Sequence, residues 1–467
     1  MNQASLFDRS ERYFVSTHDV KLSRTWAGVI FAVALLVRLA ALGLTFRGNE
    51  SVRYYDDAGI ALNIISGKGF SISYEFRNWL FYTMHLKKTT IPDLITEGTK
   101  PTASKQPVYP LILAALFYCF GAKNFLAVFL IQAVISSLTV VLLFLALKHV
   151  SSLTGLMVGL GTAFYPAFAW HSISTPESTT ISLFGLAAFF LCLAVLKKRP
   201  SLWVWAMIGV VGSIEVLTEP VTAPFMVLSF CYAFFFVDGQ IYKQCMGLLC
   251  AIGIALLVMS PWLVRNYIVF NRFPVVKDDP GITFTYSMEV SELGTWIPEE
   301  RIVLLERAGR TLSEVEEDEA IRGELRSLFP SHLREYLTVD IPMNFVHFWW
   351  DVRSYWGDYS LRYVLIRRFP YVLLLMLAIP STWTLVGSLL KTPRVTLKDS
   401  VVPVAALLLI CTTCAVYTLF GCHLGRFRLP VEMALFVFAG LTLRAPAEML
   451  WNRWIPSKLD GQPCATG

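Results

Sequence analysis

Apolar runs of about twenty residues, separated by short polar segments, recur along the whole chain. Most of these runs are apolar on every side and long enough to cross a hydrocarbon core about 30 Å thick as a helix, and the last is short. The runs lie near residues 26–46, 124–147, 153–170, 179–196, 202–218, 221–237, 244–262, 369–390, 400–420 and 430–443. The pattern predicts an all-α polytopic membrane protein with about ten transmembrane helices. The first run follows a polar tail and lacks a small-residue cleavage pattern, so a retained span is expected there rather than a signal peptide.

Two long segments, 47–123 and 263–368, interrupt the pattern, and charge bias assigns them a side. With the N-terminus inside, the inner tail and turns hold Arg9, Arg12, Lys21, Arg24, Lys148, Lys197, Lys198, Arg199, Lys243, Lys391, Arg394, Lys398, Arg444, Arg453 and Lys458. The short outer turns at 171–178, 219–220 and 421–429 hold only Arg426 and Arg428. The positive-inside bias therefore predicts cytoplasmic tails at 1–25 and 444–467 and places both long segments on the outer face. Between them, residues 26–262 form an N-terminal transmembrane module that includes the outer loop 47–123. Residues 263–368 form a second outer segment, and 369–443 the C-terminal helices. Within the first loop, the apolar stretch from Pro107 to Gly121 would reach only about 22 Å as a helix, too short for a span. It is expected to be interfacial or re-entrant. The second segment carries an acid-rich amphipathic stretch, 299–324, and then an aromatic cluster of Phe345, Phe348, Trp349, Trp350, Tyr355 and Trp356 suited to a headgroup-level belt.

Composition agrees with the pattern. Of 467 residues, 55% are hydrophobic and only 16% charged, against about 25% in soluble domains. The nine cysteines are too few for a disulfide scaffold, and Cys411 and Cys414 lie in a Val/Leu/Ile run that favours core packing over thiol chemistry. The net charge of +6 does not imply nucleic acid, and no phosphate-cradling Gly-rich fingerprint stands in a strand-to-helix context.

With so few charges, those near the outer face carry the candidate chemistry. Asp56 and Asp57 open a short helix just after the first span, where capping would account for one of them. Adjacent helical side chains point about 100° apart, so one can cap or bind a cation while the other faces a substrate hydroxyl as general base. Lys105, Arg265, Arg426 and Arg428 fall on the same side. Singly they read as snorkelling residues; together they can neutralise a lipid-borne phosphate. His171 and Glu177 occupy the next outer turn, and Glu215 and Glu219 bracket the end of another span. No His/Cys/Asp/Glu set has persuasive metal spacing. A divalent cation is still a candidate cofactor, with Asp57 its first ligand and Asp56, His171 and Glu177 as further donors.

Five fragments in order carry a resemblance: Tyr55-Asp56-Asp57, Lys105-Gln-Pro107-Val-Tyr109-Pro, Pro176-Glu177, Pro261-Trp-Leu-Val-Arg265-Asn266 and Arg426-Phe-Arg-Leu-Pro430. Over nearly its whole length the chain resembles the GT-C membrane glycosyltransferases. It is most similar to the family 39-like enzymes, related to protein mannosyltransferases and the lipid A aminoarabinose transferase. Gln106 stands where a proline is usual, and Phe427 replaces a common tyrosine. The resemblance implies transfer of a sugar from a polyprenyl-phosphate donor, presented by the membrane lipid, to a glycan, lipid or protein acceptor on the outer face, with inversion. It implies Asp56 or Asp57 as base, Asp56 first because it leads the motif. Lys105, Arg265 and Arg426 would hold the donor phosphate, and Tyr55, Tyr109, His171 and Glu177 would bind substrate. A multi-pass protein of a bacterial plasma or inner membrane is then expected. The alternative is a lipid or solute transporter, disfavoured because no inverted repeat is visible and the polar clusters lie in outer loops rather than at mid-span.

Overall fold

The computed structural model describes residues 17–52, 56–73, 98–237, 240–271, 314–350, 361–421 and 425–454. Within them the chain is helical apart from one two-stranded hairpin. The helices are α1 (Thr17–Thr45), α2 (Asp56–Ile65), α3 (Val108–Phe120), α4 (Phe125–Leu147), α5 (Ser152–Phe164), α6 (Pro166–Ser174), α7 (Thr179–Lys198) and α8 (Leu202–Thr218). After these come α9 (Ala223–Phe236), α10 (Ile241–Phe270), α11 (Glu314–Glu335), α12 (Ile341–Trp350), α13 (Leu361–Lys391), α14 (Pro393–Asp399), α15 (Val401–Phe420) and α16 (Leu429–Trp454). Strands β1 (Ser71–Ser73) and β2 (Thr99–Pro101) pair antiparallel, Ile72 opposite Lys100.

Local chemistry sets the helix ends. Asn124 and Ser201 cap α4 and α8 by accepting from the amides of Ala127 and Val204. Gly121, at φ 100°, ends α3 in a conformation that favours glycine. Pro166 starts α6 after a 49° bend from α5.

Among the described residues, seven helices are long and apolar enough to cross a membrane: Arg24–Thr45, Phe125–Leu147, Thr179–Lys198, Ile241–Phe270, Ile366–Lys391, Val401–Phe420 and Arg426–Met449. The bent pair α5–α6 makes an eighth if taken as one span. The expectation of about ten counted two more, Leu202–Thr218 and Pro220–Phe236, which are shorter apolar helices divided at Glu219 where Pro220 starts a 3-10 turn. At 1.5 Å per residue, seventeen residues reach only about 25 Å. The stretch from Pro107 to Gly121 does form a short helix, of 13 residues, and it packs on α2. Two helices run further than the apolar windows implied. α10 continues through Pro261 to Phe270 and so carries Arg265, and α6 continues to Ser174 and so carries His171.

The bundle is built on α4 against α7, α8 against α10 and α13 against α16, with α1 laid along α4. Small residues permit the closest approaches. A Cβ on Gly209 would clash with the Ala251 carbonyl across the α8–α10 contact, and one on Gly247 would strike the Trp205 ring. Arg38 of α1 is fully buried. It donates to Ser136 Oγ at 2.8 Å and to the carbonyls of Ala34 and Ala163 at 3.0 and 3.2 Å, the latter in the last turn of α5, beside the bend.

The segment 263–368 is tied down at two points among its described residues. At one, the Glu314 carboxylate accepts from Thr102 Oγ1 at 2.9 Å and from the Ala103 amide at 2.6 Å. At the other, α12 lies on α15: Asn344 donates to the Thr418 carbonyl at 3.2 Å and Phe348 stacks on Tyr417 at 5.8 Å. Phe348 is thus buried packing rather than exposed belt, whereas Phe345 and Trp350 are exposed. Tyr355, Trp356 and the stretch 299–313 lie outside the described residues.

Candidate active site

The first turn of α2 presents Asp56 and Asp57 beneath the segment that joins β2 to α3. Lys105 Nζ in that segment lies 3.0 Å from Asp56 Oδ2, with Asp56 the more buried partner. Asp56 is therefore held as one half of an ion pair. Asp57 is half-buried and has neither a hydrogen bond nor an ion pair among the described residues. Desolvation pushes its carboxyl up to about 6 and Asp56 adds to that rise, while Lys105 and Arg426 pull the other way.

Two further elements close on Asp57. Glu177, in the turn between α6 and α7, receives Arg426 Nη1 at 2.6 Å on Oε1. Arg426 lies on the 3-10 turn Gly425–Arg428 that leads into α16. Behind them, Gln132 of α4 donates to Tyr109 Oη at 2.8 Å and to the Glu177 carbonyl at 3.4 Å, tying α3 to the Glu177 turn. The result is an alternation of charge, Lys105–Asp56 and Arg426–Glu177, around one uncommitted carboxylate. Both Arg426 and Glu177 act electrostatically on Asp57. Such an arrangement can accept a proton at Asp57 while neutralising a departing oxyanion at the two cations.

Arg265 is engaged elsewhere. Its Nη1 donates to the Thr102 carbonyl and Asn266 Oδ1, each at 2.8 Å, and its Nη2 to the Phe70 carbonyl at 2.9 Å. The guanidinium also lies over the rings of Phe70, Trp262 and Phe270 at 5.1–5.5 Å. In this arrangement it clamps the hairpin from one side while Glu314 grips Thr102 and Ala103 from the other, three residues before Lys105. Three of its donor contacts thus go to two backbone carbonyls and the Asn266 side chain. His171, at the end of α6, is partly exposed and lies in the field of Arg426. Tyr55 lies outside the described residues.

Residues 100–264, from β2 through most of α10, match the family model described as dolichyl-phosphate-mannose-protein mannosyltransferase. Among solved structures, the chain is similar to the Archaeoglobus fulgidus oligosaccharyltransferase tethered with an acceptor peptide containing the NVT sequon. The TM-score is 0.54 at 14% identity, covering 92% of this chain and 51% of that one. It is similar also to archaeal oligosaccharyltransferase AglB from Archaeoglobus fulgidus in complex with an inhibitory peptide and a dolichol-phosphate. There the TM-score is 0.51 at 12% identity, covering 93% and 52%. The chain has the GT-C fold. It spans about half the length of these GT-C structures. A search of curated protein sequences finds no match.

At this cluster, a resident cation has few donors to use. Among the described residues no group of three His, Cys, Asp or Glu is placed to hold a metal ion. Asp56 and Glu177 are already paired with cations that would repel one, which leaves Asp57 as a single open carboxylate. Sequence reasoning passed over Gln132, Glu314 and the Glu432 network. Glu432 takes Arg428 Nε on Oε1 at 2.9 Å and Tyr165 Oη on Oε2 at 2.8 Å, while the Arg428 guanidinium lies 3.7 Å from the Tyr371 ring centroid. The i, i+4 spacing of Arg428 and Glu432 was a legible helical signal. The contacts of Gln132 and Glu314 bridge distant segments and left none.

Proposed function

We propose that this protein is a glycosyltransferase. It moves a sugar from a polyprenyl-phosphate donor to a hydroxyl or amine acceptor at the outer face of the membrane, with inversion. The observation that carries this reading is the uncommitted, desolvated Asp57 between the Lys105–Asp56 and Arg426–Glu177 pairs. The description of the matched family and the dolichol-phosphate in the AglB complex support the donor class. In the step, an acceptor oxygen or nitrogen attacks the anomeric carbon and its proton passes to Asp57. The bond from that carbon to the phosphate oxygen breaks, and the lipid phosphate leaves with the electron pair opposite Lys105 and Arg426. Asp57 thereby replaces Asp56 as the preferred base. Asp56 is neutralised by Lys105, whereas a carboxyl near 6 is ionised at neutral pH and still basic enough to accept a proton. Tyr109, His171 and Glu177 line the acceptor and sugar side, and no step requires a metal.

The N-terminus then lies in the cytoplasm of a bacterial cell and the site faces outward across its plasma membrane. The test is a panel of polyprenyl-phosphate sugars, each labelled in the sugar, offered with candidate glycan, lipid and peptide acceptors to the purified protein in nanodiscs. Label is expected on one acceptor class, with release of polyprenyl phosphate. Movement of intact donor between leaflets, with no label on any acceptor, would replace this reading with the transporter.

A further inference from the structure

Three of the cations around the site are matched to carboxylates: Lys105 to Asp56, Arg426 to Glu177 and Arg428 to Glu432. Arg367, near the start of α13, is different. It is 7% exposed, its Nη1 is fully buried without a hydrogen-bond partner, and among the described residues the side chain has no ion pair. One turn further on, on the same face of α13, Tyr371 is 2% exposed and its hydroxyl is likewise without a partner. Its ring is occupied by Arg428, so the open donor is the hydroxyl.

Across from this face lies α6, which packs on α13. His171 Nδ1 is a third buried polar atom with no partner, and Arg367 acts electrostatically on both His171 and Tyr165. Glu432, the carboxylate on that side, accepts from Arg428 on one oxygen and from Tyr165 on the other and makes no ion pair with Arg367. A buried guanidinium without a counter-charge is costly, and a bound anion is one way to satisfy buried donors of this kind. Three such atoms from two packed helices share one character, since each can donate to an oxyanion when His171 carries its proton on Nδ1.

We propose that Arg367, Tyr371 and His171 form a subsite for a phosphate-type oxyanion, distinct from the Lys105–Asp56 pair. Among the described residues there, Arg367 is a cation with no carboxylate partner, and its donors suit bidentate contact. His171 is partly exposed and lies in the field of Arg426, whose own partner Glu177 acts on Asp57, which relates the subsite to the surroundings of Asp57. This rests on the transfer reading only for its biological setting; the binding itself does not require transfer.

The test is binding to the full-length protein in nanodiscs of neutral lipid, read by affinity and thermal stabilisation. The probes are polyprenyl monophosphate, inorganic phosphate and uncharged polyprenol, and the variants are Arg367→Gln, Arg367→Lys and Tyr371→Phe. Polyprenyl phosphate is expected to stabilise the wild type and polyprenol not to. Arg367→Gln should weaken phosphate binding about tenfold or more, with Arg367→Lys and Tyr371→Phe between. Without ligand, Arg367→Gln should melt no lower than the wild type, because it removes a charge with nothing to pair; a purely packing role predicts the reverse. If inorganic phosphate binds with the same dependence on Arg367, the oxyanion can come from a soluble group; if only the lipid phosphate binds, it comes from the lipid. Wild-type affinity for every probe in both Arg367→Lys and Tyr371→Phe would overturn the subsite, even should Arg367→Gln fail to fold. Phosphate binding that depends on Arg367, in a protein that transfers no sugar, would overturn the transfer reading and leave the subsite standing.

Discussion

Lys105 Nζ and Asp56 Oδ2 lie 3.0 Å apart, and that contact separates the roles of two adjacent carboxylates. Asp56 is paired with a lysine. Asp57, one residue on, is left to desolvation and to the more distant charges. Neighbouring titratable groups whose surroundings differ in this way divide acid–base work between them.

Asp57→Asn should lower kcat/KM for transfer about 10²- to 10⁴-fold. In the wild type, activity should rise with pH through about 6 as Asp57 ionises, and the variant's residual activity should lose that limb. A pH–rate series on both proteins checks this. Survival of the limb in Asp57→Asn would move the base elsewhere.

The same shift has a stability consequence of fixed sign. The folded carboxyl titrates near 6, above its ordinary 3.8, so folding favours the protonated form. That contribution is complete below the unfolded value and is lost as pH rises through the folded one. Asp57→Asn should therefore melt higher than wild type above pH 6, with the gap closing at lower pH. Thermal scans across pH 4–8 would show it.

Lys105 and Asp56 should behave as one unit. Lys105→Met leaves a largely buried carboxylate unpaired, and Asp56→Asn leaves the lysine without its partner. The double variant should be less impaired than the sum of the singles, with a coupling energy of roughly 1–3 kcal/mol. A double-mutant cycle on thermal stability measures it, and additive effects would contradict the pairing.

Arg265 offers a contrast between clamp and ligand. Arg265→Ala releases the carbonyls of Phe70 and Thr102, so hydrogen exchange should speed up across 98–105 before any substrate is added. Glu314→Gln should weaken the same stretch from the other side. A residue that held donor phosphate would instead raise the donor KM and leave that exchange unchanged.

The α8–α10 contact should tolerate no side chain at Gly209, because a Cβ there meets backbone of Ala251 that cannot rotate away. Gly209→Ala should destabilise by about 1–3 kcal/mol. Gly253, with open space around it, is the matched control and should accept alanine.

The runs of apolar residues were enough to determine the helices, because a segment without charges has no other way to satisfy its backbone in hydrocarbon. Cap residues and prolines mark several of their N-terminal ends, and the scarcity of charge singled out Asp56, Asp57, Lys105, Glu177 and Arg426. What the chain alone could not decide was partnership. Arg265 and Arg426 look alike in sequence, each within two residues of an aromatic, Tyr267 or Phe427, and near a helix end. Only the packed structure commits Arg265 to the hairpin backbone and Arg426 to Glu177. Helix ends also moved, since packing on neighbours carries α10 and α6 past the end of their apolar windows. Arg367 passed unnoticed because an arginine pair, Arg367 and Arg368, ahead of a span reads as snorkelling; the burial of Arg367 follows from how α13 meets α6, which no local pattern encodes.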